Sequence, residues 1–268
     1  MSESTVDDSV LIVEQSDRVA VITMNRPKAR NALNKELQDA LVAEVQRLEA
    51  DDDVDVVVLT GSDPAFCAGF DLTRLADSGA LEEGLYSWRG PFPPRHKLLI
   101  GAVNGPAVTG GLELALACDF LVASEHARFA DTHAKVGVMP GWGLTVLLPE
   151  RVGFARAREM SASGRFVDAH LALTWGLVNH VVPHDDLLRF TVELAHGCVS
   201  AGSAVGAVLD TYSRIQQAAS DDGWHIEAEA SQRWQREHFR PDTDGSRQRD
   251  VMQHGREELS KRATAAHL

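Results

Sequence analysis

Two stretches of this chain repeat one architectural order, and that order restricts what it can fold into. VDVVVLTG (54–61) reads as a buried strand, and it ends in the glycine-bearing loop SDPAFCAGFDL (62–72). LLIGAVNG (98–105) is a second such strand, running on to the probable helix GGLELALAC (110–118), and DFLVAS (119–124) follows as a further strand. Strand, loop and helix in alternation specify a mixed β/α body. No sequence is repeated between the two units, so the recurrence is architectural.

The flanking segments fit this plan. VLIVEQ (10–15) and RVAVITM (18–24) have the composition of strands, and NRPKARNAL (25–33) makes a turn. Asn34 then stands where a helix cap is needed, followed by Leu37, Leu41, Val45 and Leu48 on one helical face, and the acidic run Asp51 to Asp53 closes that helix. Residues 73–97 carry Gly79, Gly84, Gly90, Pro91, Pro93 and Pro94, the signature of a mobile insertion that shapes a pocket. Past Val182 the strand signal fades, and four helices are expected over His184–Ser200, Ala204–Ala219, Trp224–Phe239 and Ser246–Lys261. The expected organisation is a flexible stretch over residues 1–9, a β/α body over 10–195 and a helical region over 196–268.

Composition excludes several classes of partner. A formal charge of −13 argues against nucleic acid or an anionic membrane as the main partner. The longest uncharged run, Leu98 to Leu112, is too short and too glycine-rich for a bilayer span, and the first residues carry no leader pattern. Cys67, Cys118 and Cys198 are too few and wrongly spaced for a disulfide framework or a zinc site, so no metal is expected and a cytoplasmic setting is.

The chemistry concentrates in the two loops. CAGFDL (67–72) and TGGLEL (109–114) each place glycine before a probable helix, where backbone N–H groups lack partners and the helix dipole is positive. Two such N–H groups can hold a developing oxyanion, although glycines in turns also serve tight packing alone. Neither loop fits a phosphate-binding glycine pattern. Glu113 lies one turn into the second helix among Leu112, Leu114, Leu116 and Ala117. A carboxylate in such surroundings is either a general acid/base or half of a structural ion pair.

Four blocks taken together, NRPKARNAL, VVVLTGSDPAFCAGFDL, AVNGPAVTGGLELALACDF and VGVMPGWGL, resemble the crotonase family, also called the enoyl-CoA hydratase/isomerase family. The resemblance is strong over residues 10–200 and weak beyond. It implies an α/β fold in which β-β-α turns form a spiral with perpendicular sheets, and a C-terminal helical region that packs in homotrimers or hexamers. It also implies an acyl-CoA thioester as substrate, with coenzyme A arriving as part of that substrate and no permanently bound cofactor. The N–H groups of Phe70 and Gly110 would form the oxyanion hole, and Glu113 would be one of two catalytic glutamates. Alignment without gaps puts His133 at the second glutamate's position, so the carboxylate pair is replaced by a carboxylate and an imidazole that transfers protons near neutral pH. Asp131 stands two residues upstream, placed to cap a turn or to orient that ring.

Arg26, Lys28 and Arg30 resemble the family's nucleotide and phosphate contacts, and Ala68, Asp71 and Leu72 occupy the loop that lines adenine and pantetheine. Thr109, Phe70, Trp142 and Leu144 depart from the family's usual glycine and small residues, and Trp142 either reshapes the acyl pocket or packs into the core. The expected reaction is hydration of a 2-enoyl-CoA through a stabilised thioester enolate. An enoyl-CoA isomerase, another acyl-CoA lyase or hydrolase, and a catalytically weak acyl-CoA binder are the alternatives.

Overall fold

A computed structural model describes residues 9–71, 90–199, 203–240 and 245–265. The expected flexible N-terminus, Leu72, any helix after CAGFDL and most of the insertion lie outside those residues.

In chain order the elements begin with the strands β1 (Leu11–Ser16) and β2 (Val19–Met24), the helix α1 (Lys35–Glu49), and β3 (Val56–Gly61), β4 (Leu98–Val103) and β5 (Pro106–Val108). The helix α2 (Gly110–Leu116), the strands β6 (Phe120–Ser124) and β7 (Arg128–Ala130), and the helices α3 (His133–Val136), α4 (Leu144–Val152) and α5 (Phe154–Ser163) follow. The chain continues through β8 (Val167–Asp168), α6 (Ala169–Trp175), β9 (His180–Val182), α7 (Leu187–Cys198), α8 (Ser203–Glu237) and α9 (Ser246–Ala265).

Six strands form the main sheet in the order β1-β2-β3-β4-β6-β9, antiparallel between β1 and β2 and parallel elsewhere. β3 and β4 are buried along their whole length, as parallel strands covered on both faces must be. On one face Val57, Leu59, Leu99, Val103 and Leu121 join Leu37, Leu41 and Leu48 of α1 and Leu112 and Leu116 of α2 in the main core. On the other, Val56, Val58, Ile100 and Val122 pack against Leu187 and Ala195 of α7. The Asn34 cap forms as expected, its side chain accepting from the Leu37 N–H at 2.9 Å.

Three short strands, β5-β7-β8, make a second sheet that sequence periodicity does not reveal. Strands of two or three residues carry no alternation to read. Their value is positional, since β5 leads directly into α2 and β7 directly towards α3.

Two expectations need correction. The helices expected over 204–219 and 224–239 are one continuous helix, α8. SDDG (220–223) reads as a break, but Gln216 bonds Glu150 of α4 at 2.6 Å on one side of it and Glu227 bonds the start of α4 on the other, so α4 acts as a splint through the glycine. The C-terminal part of the insertion is also fixed rather than mobile. Arg95 bonds both Asp119 carboxylate oxygens at 2.7 and 3.1 Å, Lys97 Nζ bonds the Leu48 carbonyl at 2.7 Å, and Phe92 is buried.

Candidate active site

The two glycine loops meet because the first is stitched into the fold at three points. Cys67 pairs with Ala107 of β5 in a parallel bridge, and Phe70 pairs with Leu33 in another. The Asn31 side chain, fully buried, donates to the carbonyls of Ser62 and Ala65 at 2.8 and 2.7 Å and accepts from the Arg26 N–H at 2.9 Å. That residue sits inside NRPKARNAL, and with Leu33 it ties this turn to the loop.

Peptide geometry then sets the direction of two N–H groups. In a trans peptide the C=O and the following N–H point oppositely. The Gly69 carbonyl accepts from the Leu33 N–H at 2.8 Å, so the Phe70 N–H is turned the other way. The Thr109 carbonyl accepts from the N–H groups of Leu112 and Glu113 at 2.9 and 3.1 Å, so the Gly110 N–H points out of the start of α2. Among the described residues neither N–H donates to a protein acceptor. Gly111 lets this helix start approach the first loop, since a Cβ there would collide with the Cys67 carbonyl oxygen.

Thr109 stands at φ 56° and ψ −118°, a conformation that glycine adopts freely and a β-branched residue does not. Its backbone is held by the Thr109 N–H to Ala130 carbonyl bond at 3.0 Å, and its hydroxyl lies 2.6 Å from that of Thr132.

Glu113 is 1% exposed and every one of its contacts is specific. Oε1 accepts from the backbone N–H groups of Gly141 and Trp142 at 3.2 and 2.8 Å. Oε2 lies 3.3 Å from Nε2 of His133, which is itself 3% exposed. His133 Nδ1 is 2.7 Å from Asp131 Oδ1, and the same oxygen accepts from the His133 N–H at 3.2 Å. Asp131 thus both caps the start of α3 and orients the ring.

The result is an imidazole between two buried carboxylates. Burial alone would lower the His133 pKa, but the Glu113 charge and the Asp131 hydrogen bond outweigh it and raise it to about 9. Burial likewise pushes the Asp131 pKa up, and the His133 hydrogen bond and charge bring it below the usual carboxylate range. At neutral pH His133 is therefore an imidazolium, donating from Nδ1 to Asp131 and from Nε2 to Glu113.

The remaining sequence-derived candidates divide into two groups. Trp142 is buried in the main core, and its ring stands 4.7 Å from that of Phe70, so the two aromatics close one side of the Gly110 region. Among the described residues the Trp142 indole N–H has no hydrogen-bond partner. Arg26 reaches the Ala32 carbonyl and lies 3.4 Å from Asp71, while Lys28 and Arg30 are exposed and Ala68 is partly buried, its N–H bonded to the Arg30 carbonyl at 3.0 Å. Arg26 and Arg30 thus each touch the loop that carries Phe70, through Asp71 and Ala68.

Sequence reading missed Glu227 of α8. It is 3% exposed and accepts from the N–H groups of Gly143 and Thr145 at 2.6 and 2.7 Å and from the Thr145 hydroxyl. Its signal is faint, because WHIEAEA in an amphipathic helix reads as a solvated face.

Comparison with known proteins identifies the family. The enoyl-CoA hydratase/isomerase family profile matches residues 14–243. A crystal structure of an enoyl-CoA hydratase from Mycobacterium avium superposes with a TM-score of 0.78 at 48% identity, covering 84% of this chain and 97% of that one. A probable peroxisomal enoyl-CoA hydratase of Arabidopsis thaliana is 36% identical over 227 residues, 84% of this chain and 85% of the relative. A short-chain-enoyl-CoA hydratase of Clostridium acetobutylicum is 35% identical over 227 residues, 82% of this chain and 87% of the relative. With its strands, its paired glycine loops and its buried Glu113 in place, the chain belongs to the enoyl-CoA hydratase/isomerase family.

Proposed function

We propose that this protein is an enoyl-CoA hydratase in which Glu113 and His133 share the proton transfers. The observation that carries this reading is the contact between the Glu113 carboxylate and the His133 imidazolium, 3.3 Å apart and buried beside two unspent backbone N–H groups.

The 2-enoyl thioester oxygen accepts from the Phe70 and Gly110 N–H groups, each of which is worth on the order of 10²–10³ in rate when it meets developing charge. Glu113 takes a proton from water as the water oxygen bonds to C3. The C2=C3 electron pair moves onto the thioester as an enolate, its negative oxygen held by the two N–H groups. His133 Nε2–H delivers its proton to C2, completing the 3-hydroxyacyl-CoA. The proton on Glu113 then passes across the short gap to Nε2 and restores both groups. Asp131 holds the ring in place throughout and stabilises the imidazolium before and after the transfer, as the orienting member of the set.

The coenzyme A part is assigned to Arg26, Lys28, Arg30, Ala68 and Asp71, with Leu72 assigned from the resemblance alone, and the acyl chain to the space bordered by Phe70 and Trp142. Local positive charge in a chain of net charge −13 supports the first assignment. A homotrimer or hexamer built on the helical region is supported by Val208, Tyr212 and Ile215, one turn apart on α8 and exposed. No helix is long and apolar enough to cross a membrane among the described residues, which is compatible with the cytoplasmic placement we favour.

Loss of the enoyl-thioester absorbance with trans-2-enoyl-CoA substrates of increasing length, with products identified by mass, tests the reading. Water addition by the wild type that falls by about 10²–10⁴-fold in Glu113→Gln is the expected result. A second reading, an acyl-CoA binder with little turnover, is favoured by the Phe70–Trp142 ring pair. Tight binding of saturated acyl-CoA without hydration at any chain length would establish it instead.

A further inference from the structure

Residues 141–145 lie between two buried carboxylates. Glu113 accepts from the first two N–H groups, those of Gly141 and Trp142, and Glu227 accepts from those of Gly143 and Thr145. Five residues therefore commit four N–H groups to two acidic side chains that reach them from different helices, α2 and α8. The Thr145 hydroxyl adds a further donor to Glu227.

The approach of α8 to this loop depends on Gly143. Its φ of +97° is open to glycine, and a Cβ there would collide with Trp224 Cη2, which stands one helical turn before Glu227. Trp224 and Glu227, three residues apart, thus bring one face of α8 onto the loop. Glu227 also sits at the start of α4, where it takes up N–H groups that the helix cannot satisfy itself.

We infer that Glu227 is a positioning residue for the catalytic carboxylate: by fixing the 141–145 backbone, α8 sets the direction of the two N–H groups that anchor Glu113 Oε1 and so leaves Oε2 facing His133. Water activation then depends on a carboxylate that never touches substrate. Burial raises the Glu227 pKa and the Glu113 charge adds to it, against the Thr145 and Gly143 hydrogen bonds, as expected for two carboxylates sharing one small loop. The inference rests on the assignment of Glu113 as the proton acceptor, and it names the element that tunes it.

Glu227→Gln is the variant of choice, because it keeps the side chain's shape but turns an amide NH₂ towards one of the backbone donors. The exposed Glu229→Gln on the same helix is the control. Two quantities are read in each protein: kcat with a trans-2-enoyl-CoA alongside the Kd of the matching saturated acyl-CoA, and amide hydrogen exchange of the segment containing Gly141 and Trp142. In Glu227→Gln we expect kcat lower by on the order of 10–100-fold with Kd within about twofold, as for displaced catalytic geometry. Exchange at Gly141 and Trp142 should rise by about tenfold or more, as these N–H groups lose a fixed acceptor. Glu229→Gln should match the wild type in both. Unchanged exchange in Glu227→Gln, or an equal loss of kcat and saturated acyl-CoA affinity, would overturn the inference. If the wild type itself turned over no enoyl-CoA, the hydratase reading would fall, while the exchange measurement would still decide whether Glu227 holds the anchor of Glu113.

Discussion

Replacing His133 by glutamine removes the buried imidazolium that lies between Glu113 and Asp131 and keeps a side chain of similar reach. In the folded protein the His133 pKa rises from 6.5 to about 9 because the Glu113 charge and the Asp131 hydrogen bond outweigh the cost of burial. At 1.36 kcal/mol per pH unit, that rise corresponds to about 3 kcal/mol of stability. A raised pKa means that the folded state holds a proton the unfolded state has already released. The contribution is therefore complete below pH 6.5, declines between 6.5 and about 9, and is gone above it. Urea unfolding of wild type and His133→Gln at several pH values from 6 to 9.5, at one protein concentration, reads this contribution in the pH dependence of the difference between the two proteins, since the variant also leaves two buried carboxylates without their cation. The advantage of the wild type over the variant should narrow with rising pH, by on the order of 3 kcal/mol between pH 6 and pH 9.5. Parallel stability curves, with a constant gap across the range, would refute the reasoning, because they would mean that the imidazole is not charged between its carboxylates.

Other consequences follow from single residues. Asn34→Ala removes the acceptor of the Leu37 N–H and should cost about 1 kcal/mol by thermal unfolding. At position 109, Ala keeps the unfavourable φ and loses the hydroxyl contact with Thr132, so Thr109→Ala should destabilise by about 1–2 kcal/mol. Thr109→Gly relieves the backbone while losing the same contact, and should stay within about 1 kcal/mol of wild type. Phe70→Ala keeps the backbone N–H assigned to the thioester oxygen, so kcat on the shortest enoyl-CoA should change by less than about tenfold. The same variant should gain activity, relative to wild type, on bulkier chains, because the ring that faces Trp142 is gone.

The parts of this fold that bury long apolar segments are visible in the sequence. β3, β4, β6 and α1 with its Asn34 cap carry strong local signals, and local signal agrees with burial at each of them. The second sheet is not visible, because β5, β7 and β8 are held by their partners rather than by any pattern of their own. α8 fails for the opposite reason: a local break signal at SDDG is overridden by contacts with α4 on both sides. In the site, Glu113 attracts notice as a lone charge among leucines, whereas His133 emerges only through the family resemblance, by alignment without gaps after Glu113. Asn31 and Glu227 do not, since the acceptors of Asn31 and the donors to Glu227 lie 31 or more residues away and an asparagine in a turn or a glutamate in a helix is ordinary. What is hidden in the sequence is thus the long-range hydrogen bonding that fixes loops, and the loops carry the chemistry.

The measurement that bears most directly on the shared proton transfer is the pH dependence of kcat/KM for enoyl-CoA hydration by wild type and His133→Gln. With His133 as the proton donor to C2, wild-type activity should fall as pH rises through about 9, where the imidazolium loses its proton, and the residual activity of the variant should lack that alkaline limb. An alkaline limb of the same position in both proteins would contradict the account, for it would place the proton donor on another group.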